Sequence, residues 1–248
     1  MDLLTITDHD SIEAAEACRS RKNFFLSEEV SCTTPGGTLI HVGVYGIQEG
    51  HHQESQKRRT DLISFVEYLH EQKLFFSINH AFSHLTGRRT EHDFALFEKY
   101  FPAVEVLNGQ MLACCNRSAA EFARSLHKLQ VAGSDAHTLT SLGTVYTEVP
   151  GARNSTEYLA GLHSGFARVS GSSGNYWTLT RAVLEIGIEM IRERPATAAL
   201  SPLFAAVPFV TLVNVLSEIA FAHKWIGKIR ANTRHYEGVQ SLVESSRA

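Results

Sequence analysis

The sequence predicts an α/β fold of barrel type, with a metal-binding site at one end of its strands. Two observations carry this reading. Apolar runs of strand length alternate with helical stretches along the first two thirds of the chain. Residues with metal-ligand chemistry, namely His9, Glu29, His41, His80, Asp135 and His137, stand at or near the ends of those runs. In parallel α/β folds ligands collect at the carboxyl ends of the strands, so this placement points to one shared site.

Residues 2–9 read as a buried parallel strand closing on Thr7-Asp8-His9, with Ser11 as cap for a helix over Ile12–Arg21. Phe24–Cys32 and Thr38–Ile47 are strands joined by the turn signal Pro35-Gly36-Gly37. Glu54–Lys73 reads as one helix, with Leu62, Phe65, Val66 and Leu69 on a single face. Leu74–Asn79 is a short strand delivering His80, and a loop over Ala81–Arg89 leads to a helix around Glu91–Tyr100. Ala103–Leu107 is a strand ending at Asn108, Asn116–Leu129 a helix, and Gln130–Ser134 the strand that delivers Asp135 and His137. Thr144–Val149 is a further strand. Ser170–Asn175 is rich in Gly and Ser and marks a boundary between a domain over 1–170 and a helical extension over 176–248.

The 248 residues suffice for one barrel-sized core, and a formal charge of −3 sets up no strong field toward nucleic acid or an anionic surface. The four cysteines form no CxxC pair, and Met1 leads straight into a strand without a signal peptide. Both point to the cytoplasm. Residues 196–217 carry no formal charge and are long enough to span a bilayer, with Arg194 and Lys224 flanking them. Pro202 and Pro208 favour a soluble helical hairpin packed on the barrel or on a second copy of the chain. The alternative is peripheral or anchored membrane association.

Carboxylate oxygens mixed with imidazole nitrogens suit Zn, Mn or Fe rather than a thiolate-bound structural zinc. A metal cluster needs a bridging carboxylate, and Glu29 competes for that role with its neighbour Glu28. Alternation along a strand lets only one of them face inward. Asp135 and His137, at i and i+2, share one face of an extended segment. His41, inside a strand, reads either as a core histidine or as a site residue. His51, His52, His84, His92, His127 and His163 read as surface residues, and Cys32, Cys114 and Cys115 as small apolar ones.

Ile6-Thr7-Asp8-His9-Asp10, Glu29-Val30-Ser31, Ile40-His41-Val42, Asn79-His80-Ala81, Glu105-Val106-Leu107-Asn108 and Gly133-Ser134-Asp135-Ala136-His137 follow one another in order. This series resembles the polymerase and histidinol phosphatase (PHP) superfamily over about residues 1–170. It is most similar to the compact bacterial branch that removes phosphate from nucleotides or oligonucleotide ends.

The resemblance implies a distorted seven-stranded β/α barrel and two or three divalent metal ions. His9 and His137 would share one metal, Glu29 would bridge two, His80 would bind the second, and Asp135 would sit at the first. His41 would be a ligand or a proton-transfer residue, and Glu105 and Asn108 would line the pocket. The family's opening His-x-His strand, expected upstream of Thr7, is absent, which implies an open barrel edge and a first metal short of ligands. The sequence points to a start codon assigned too late or a truncated gene copy. Asn79-His80-Ala81 replaces the usual Ala-His-Pro.

The implied function is hydrolysis of a phosphomonoester or a nucleotide-end phosphate by a metal-bound hydroxide, with His41 and Asp135 in the catalytic machinery. Arg88, Arg89 and Arg117 are the candidate phosphate-binding cations, and no reading of duplex DNA is expected. The alternative is a metal-depleted barrel that acts as a binding or regulatory module through its apolar tail.

Overall fold

A computed structural model describes the backbone of residues 2–245 and the side chains as far as residue 231. The last three residues of the expected extension lie outside the described residues. The elements run α1 (Glu13–Cys18), β1 (Ser27–Thr33), β2 (Leu39–Tyr45), α2 (Glu49–Arg58), α3 (Leu62–Glu71), β3 (Phe75–Ile78), α4 (Glu91–Tyr100) and β4 (Ala103–Asn108). They continue with α5 (Ala113–Ser125), β5 (Leu129–Gly133), β6 (Val145–Glu148), α6 (Ser155–His163), β7 (Arg168–Gly171) and α7 (Tyr176–Glu193). A run of 3-10 turns, Pro195–Ala206, then leads into α8 (Val207–Ser245).

The strands form a five-stranded sheet in the order β1-β2-β3-β4-β5 and a separate β6-β7 pair. The expectation of a parallel sheet holds for β3-β4-β5, whereas β1-β2 and β2-β3 are antiparallel. The reason for the first hairpin is local. Gly37 takes φ +79 and its N–H donates to the Thr34 carbonyl, so the chain reverses tightly between β1 and β2.

Residues 3–9 do not form a regular strand. They run parallel to β1 and to the segment before it, meeting β1 at the His9–Glu29 bridge and that segment at the Leu4–Phe24 bridge. Among the described residues no strand pairs with their other edge. Closure into a barrel is therefore not seen in the described residues, although Thr147 ties β6 to β5 by bonding both the Ala132 N–H and its carbonyl.

The helix expected over Glu54–Lys73 is two helices. The Asp61 carboxylate accepts from the Ile63 and Ser64 N–H groups and starts α3 afresh after α2 has ended at Arg58. β7, paired antiparallel with β6, ends inside the stretch read as a boundary, at Gly171.

Sheet alternation separates two chemistries. One face carries Val30, Cys32, Ile40, Val42, Val44, Phe76, Ile78 and Val104, which join the main core with residues of α3, α4 and α5. The other face carries Glu29, Ser31 and His41, then Gly43, Ser77 and Glu105. Small residues there leave room above the sheet. Phe75, Ala103, Val131 and Leu162 fill the opposite end of that interior with a smaller apolar cluster.

The extension shares the main core rather than building its own. Ala222, Trp225 and Ile226 of α8 are buried in it, and Trp225 packs on Phe94 with ring centroids 5.2 Å apart. Arg230 pairs with Glu121, and Lys228 with Glu91 at 2.6 Å. A helical hairpin is present, and Pro202 and Pro208 fall in the 3-10 turns and in the first turn of α8, where proline is tolerated.

The expectation that residues 196–217 are covered by the barrel is not met. Pro195–Ala231 is long and apolar enough to cross a membrane, and 6% of its most apolar 18-residue stretch is buried. Phe209, Val210, Leu203 and Leu216 are all more than half exposed. Apolar composition over-determined the expectation of burial: among the described side chains α8 docks chiefly through Glu218, Ala222, Trp225 and Ile226, and residues 207–217 are mostly left outside.

Candidate metal centre

The floor of the site is built by β1 and β2. Glu29 faces His41 across the pleat, and Glu28 points to the opposite face, where His52 of α2 lies 2.7 Å from its carboxylate and Gln56 donates to it. His52 is thus part of a buried pair and not a free surface residue. Burial pushes the Glu28 carboxyl above the usual range, with His52 opposing the shift.

Around Glu29 the imidazoles converge. His80 Nε2 lies 2.9 Å and His41 Nδ1 3.4 Å from Glu29 Oε1, and His9 Nε2 lies 3.8 Å from Oε2. The His9 and His41 rings approach to 4.5 Å between centroids, and His41 Nδ1 is 3.3 Å from His80 Nε2. One ligand atom each from His9, Glu29 and His41 fall within 4.8 Å of one another. Asn79, immediately before His80, donates to Glu29 Oε1.

A second group stands at the ends of β4 and β5. The Asn108 amide donates to both Glu105 Oε2 and Asp135 Oδ2 at 3.1 Å. His137 Nδ1 is 3.6 Å from Asp135 Oδ1. The two groups meet through Glu105, whose Oε2 accepts the His80 backbone N–H at 2.9 Å. Among the described contacts His137 is not joined to His9, so the implied sharing of one metal by those two residues has no direct contact behind it.

The backbone is bent where the ligands are presented. His80 takes φ +30, Asp135 φ +48, and Asp10, next to His9, φ +55. Non-glycine residues in this region cost on the order of 1–3 kcal/mol and persist where the surroundings hold them. Asp10 is held by the Ser31 N–H and by Arg59 at 2.6 Å.

Over this floor lies a cavity of about 1180 Å³. Residues 2–9 wall one side, residues 131–137 and 142–153 the other, and Glu29, His80, Glu105 and Asn108 are among the residues lining it. Arg88 and Arg117 are exposed and do not line it, and Arg89 is buried elsewhere, donating to the Leu39 carbonyl and to Thr86. Helix faces and loops beyond β3 and β4 carry these arginines away from the cavity. The lining cation is Arg153, in the loop after β6, with Tyr45, Tyr146 and Tyr158 on the same wall system. The sequence reading missed these residues. The strand-end rule applied to β6 would have marked Arg153, because it follows Glu148 by a short Pro-Gly turn.

The electrostatics fit a cation. Burial opposes the charge on Glu29, but hydrogen bonds and charge from His41 and His80 outweigh it and hold the carboxyl well below the usual range. Burial likewise opposes charge on His80, yet Glu29, Glu105 and Asp135 push it up to about 9. Burial raises Glu105 to about 7. Without a cation the site therefore stores a proton on His80.

A metal needs that imidazole neutral, so binding must release the proton. Apparent Zn²⁺ or Mn²⁺ affinity should rise about tenfold per pH unit from pH 7 and level off near pH 9. Calorimetric titrations at several pH values check this, and an affinity flat from pH 7 to 9 contradicts it. The sign for the metal-free fold is opposite. A raised histidine stabilises it fully below the ordinary imidazole value of about 6.5, and that contribution is lost as pH rises through about 9.

With the geometry in place, resemblance to known proteins can be set beside it. Residues 115–165 match the PHP_C family, described as PHP-associated. A two-domain protein from Bacteroides vulgatus, containing a predicted PHP-like metal-dependent phosphoesterase, has a similar structure, with a TM-score of 0.52 and 14% identity. The similarity covers 75% of this chain and 61% of that one, so the chain spans less than two thirds of that relative. PsfC from Pseudomonas syringae aligns with a TM-score of 0.46 and 16% identity, over 76% of this chain and 83% of that one. No curated protein matches the sequence. Residues 115–165 thus resemble a PHP-associated family, and the likeness to the Bacteroides protein is one of fold.

Proposed function

We propose that the chain is a metal-dependent phosphoesterase, acting on a phosphomonoester or on the terminal phosphate of a nucleotide or oligonucleotide. The observation that carries the proposal is the convergence of His9, His41 and His80 on Glu29, with His9, Glu29 and His80 lining a substrate-sized cavity. The donor set of one carboxylate and several imidazoles fits Zn, Mn or Fe.

Glu29, with an oxygen toward His9 and another toward His41 and His80, would be the carboxylate shared between cations. His9, His41 and His80 would complete one group of ligands, and Asp135 with His137 the other. Bound divalent ions supply phosphoryl-oxygen clamping and a water acidified toward neutral pH. The chain's own residues do the rest. Glu105 and Asn108 hold the His80 backbone and the Asp135 carboxylate in place. Where His41 is not itself a ligand, its Nδ1 can take a proton beside Glu29. Arg153 is placed to pair with substrate phosphate, and Tyr146 and Tyr158 offer ring faces to an organic group.

The test is hydrolysis of p-nitrophenyl phosphate and of short 3′- or 5′-phosphorylated oligonucleotides, with Mn²⁺ or Zn²⁺ added and then chelated. Turnover should vanish in chelator, and Arg153→Ala should raise KM about tenfold with little change in kcat. Full turnover in excess chelator contradicts the proposal. A second reading, a binding module without turnover, draws on the exposure of His9 and His137, whose side chains are 47% and 58% accessible. Metal retention with no hydrolysis of any of these esters favours it.

A further inference from the structure

Glu218 is the one carboxylate in a helix segment that otherwise carries no formal charge from Val207 to His223, and it is 3% exposed. A buried carboxylate is costly unless its oxygens are bonded, and it is poor glue for docking a helix. Apolar contacts through Ala222, Trp225 and Ile226 already serve that purpose. The partners of Glu218 lie chiefly in the short loop after His80. Its Oε1 accepts from Ser83 Oγ at 2.9 Å, its Oε2 accepts the His84 N–H at 3.1 Å, and His84 Nδ1 lies 3.3 Å away. Cys115 Sγ adds a long contact at 3.9 Å.

That loop is a tight continuation of the ligand. The Ser83 N–H donates to the His80 carbonyl at 2.9 Å, and the Leu85 N–H donates to Ser83 Oγ. Phe82, 1% exposed, packs between Phe94 and Phe122. His80 itself takes a left-handed φ of +30, which an unsupported histidine leaves for a relaxed conformation. Glu105 holds His80 from the amide side. Glu218 holds it from the carbonyl side through Ser83.

We propose that Glu218 is a positioning residue for His80: the C-terminal helix docks on the main core and fixes the strained turn that aims this imidazole at Glu29. The proposal rests on the metal-site reading for its consequence, though not for the turn itself. It makes the extension part of the site, so whatever engages the exposed apolar residues near the start of α8, such as Phe209, Val210 and Leu216, acts on a helix bonded to a metal ligand's loop.

The test uses the full chain, with Zn²⁺ alone as probe and amide hydrogen exchange over residues 80–85 measured without metal. Glu218→Ala should weaken Zn²⁺ binding about tenfold, the range of lost outer-shell partners, and should speed exchange in that loop while β1 and β2 stay protected. Glu218→Gln should recover most of both, since its carbonyl oxygen still accepts from Ser83 or His84. Lys228→Ala, which breaks a different tail contact, should match the unaltered chain in both. If Glu218→Ala does not fold, Ser83→Ala decides the matter and should weaken Zn²⁺ binding about threefold. Unchanged affinity and unchanged loop exchange in Glu218→Ala, or equal losses in all three variants, overturn the proposal. If the unaltered chain binds no Zn²⁺, the metal reading fails, and loop exchange alone decides whether Glu218 positions the turn.

Discussion

Glu29→Gln should abolish phosphoester turnover, by at least about 100-fold, whereas Glu28→Gln should leave most of it. The two residues are neighbours in one strand, and the pleat sends them to opposite faces. Glu29 lies among His9, His41 and His80, and an amide there supplies neither the charge nor the second anionic oxygen that two cations require. Glu28 is buried under α2 against His52, and burial already favours its neutral form. A neutral amide of the same shape should therefore cost about 1–3 kcal/mol of stability or less, the scale of a lost buried hydrogen bond. Kinetics and denaturant unfolding on the two variants read these outcomes directly. Comparable turnover in both would show that the carboxylate at the histidine cluster is not the bridging one.

Trp225→Ala should destabilise the protein by about 3–5 kcal/mol, the usual cost of emptying a buried aromatic site. Trp177→Ala should cost under about 0.5 kcal/mol. Both tryptophans belong to the extension, and the contrast tests whether it is a separate appendage. Trp225 is 3% exposed, packed on Phe94 and Phe221, with Lys224 and Lys228 over its ring. Trp177 is 74% exposed at the start of α7. Equal small effects on urea midpoints would mean that α8 does not share the main core.

Much of the site was legible because its residues obey local rules. Strand ends announced His9, His80, Asn108 and Asp135, and pleat alternation separated Glu29 from Glu28. What escaped depends on long-range geometry. The antiparallel β1-β2 pairing is set by a glycine turn whose flanking strands look the same in either direction, and β3 returns antiparallel to β2 only after two intervening helices. The helix break at Asp61 hid inside a continuous helical pattern, because a capping carboxylate and a surface carboxylate are the same residue type in sequence. Arg88, Arg89 and Arg117 are indistinguishable from Arg153 by composition, and the fold brings Arg153 to the cavity. Glu218 could not be read at all. A single acid in an apolar helix signals a buried partner, but that partner lies 134 and 135 positions away in the chain.

The most direct measurement is the metal content of the intact chain and of its two glutamate variants after equilibration with Zn²⁺ or Mn²⁺ and gel filtration. The unaltered chain and Glu28→Gln should each retain about one ion or more, and Glu29→Gln should retain far less. The same content in all three, or none in any, contradicts a metal centre at this cluster.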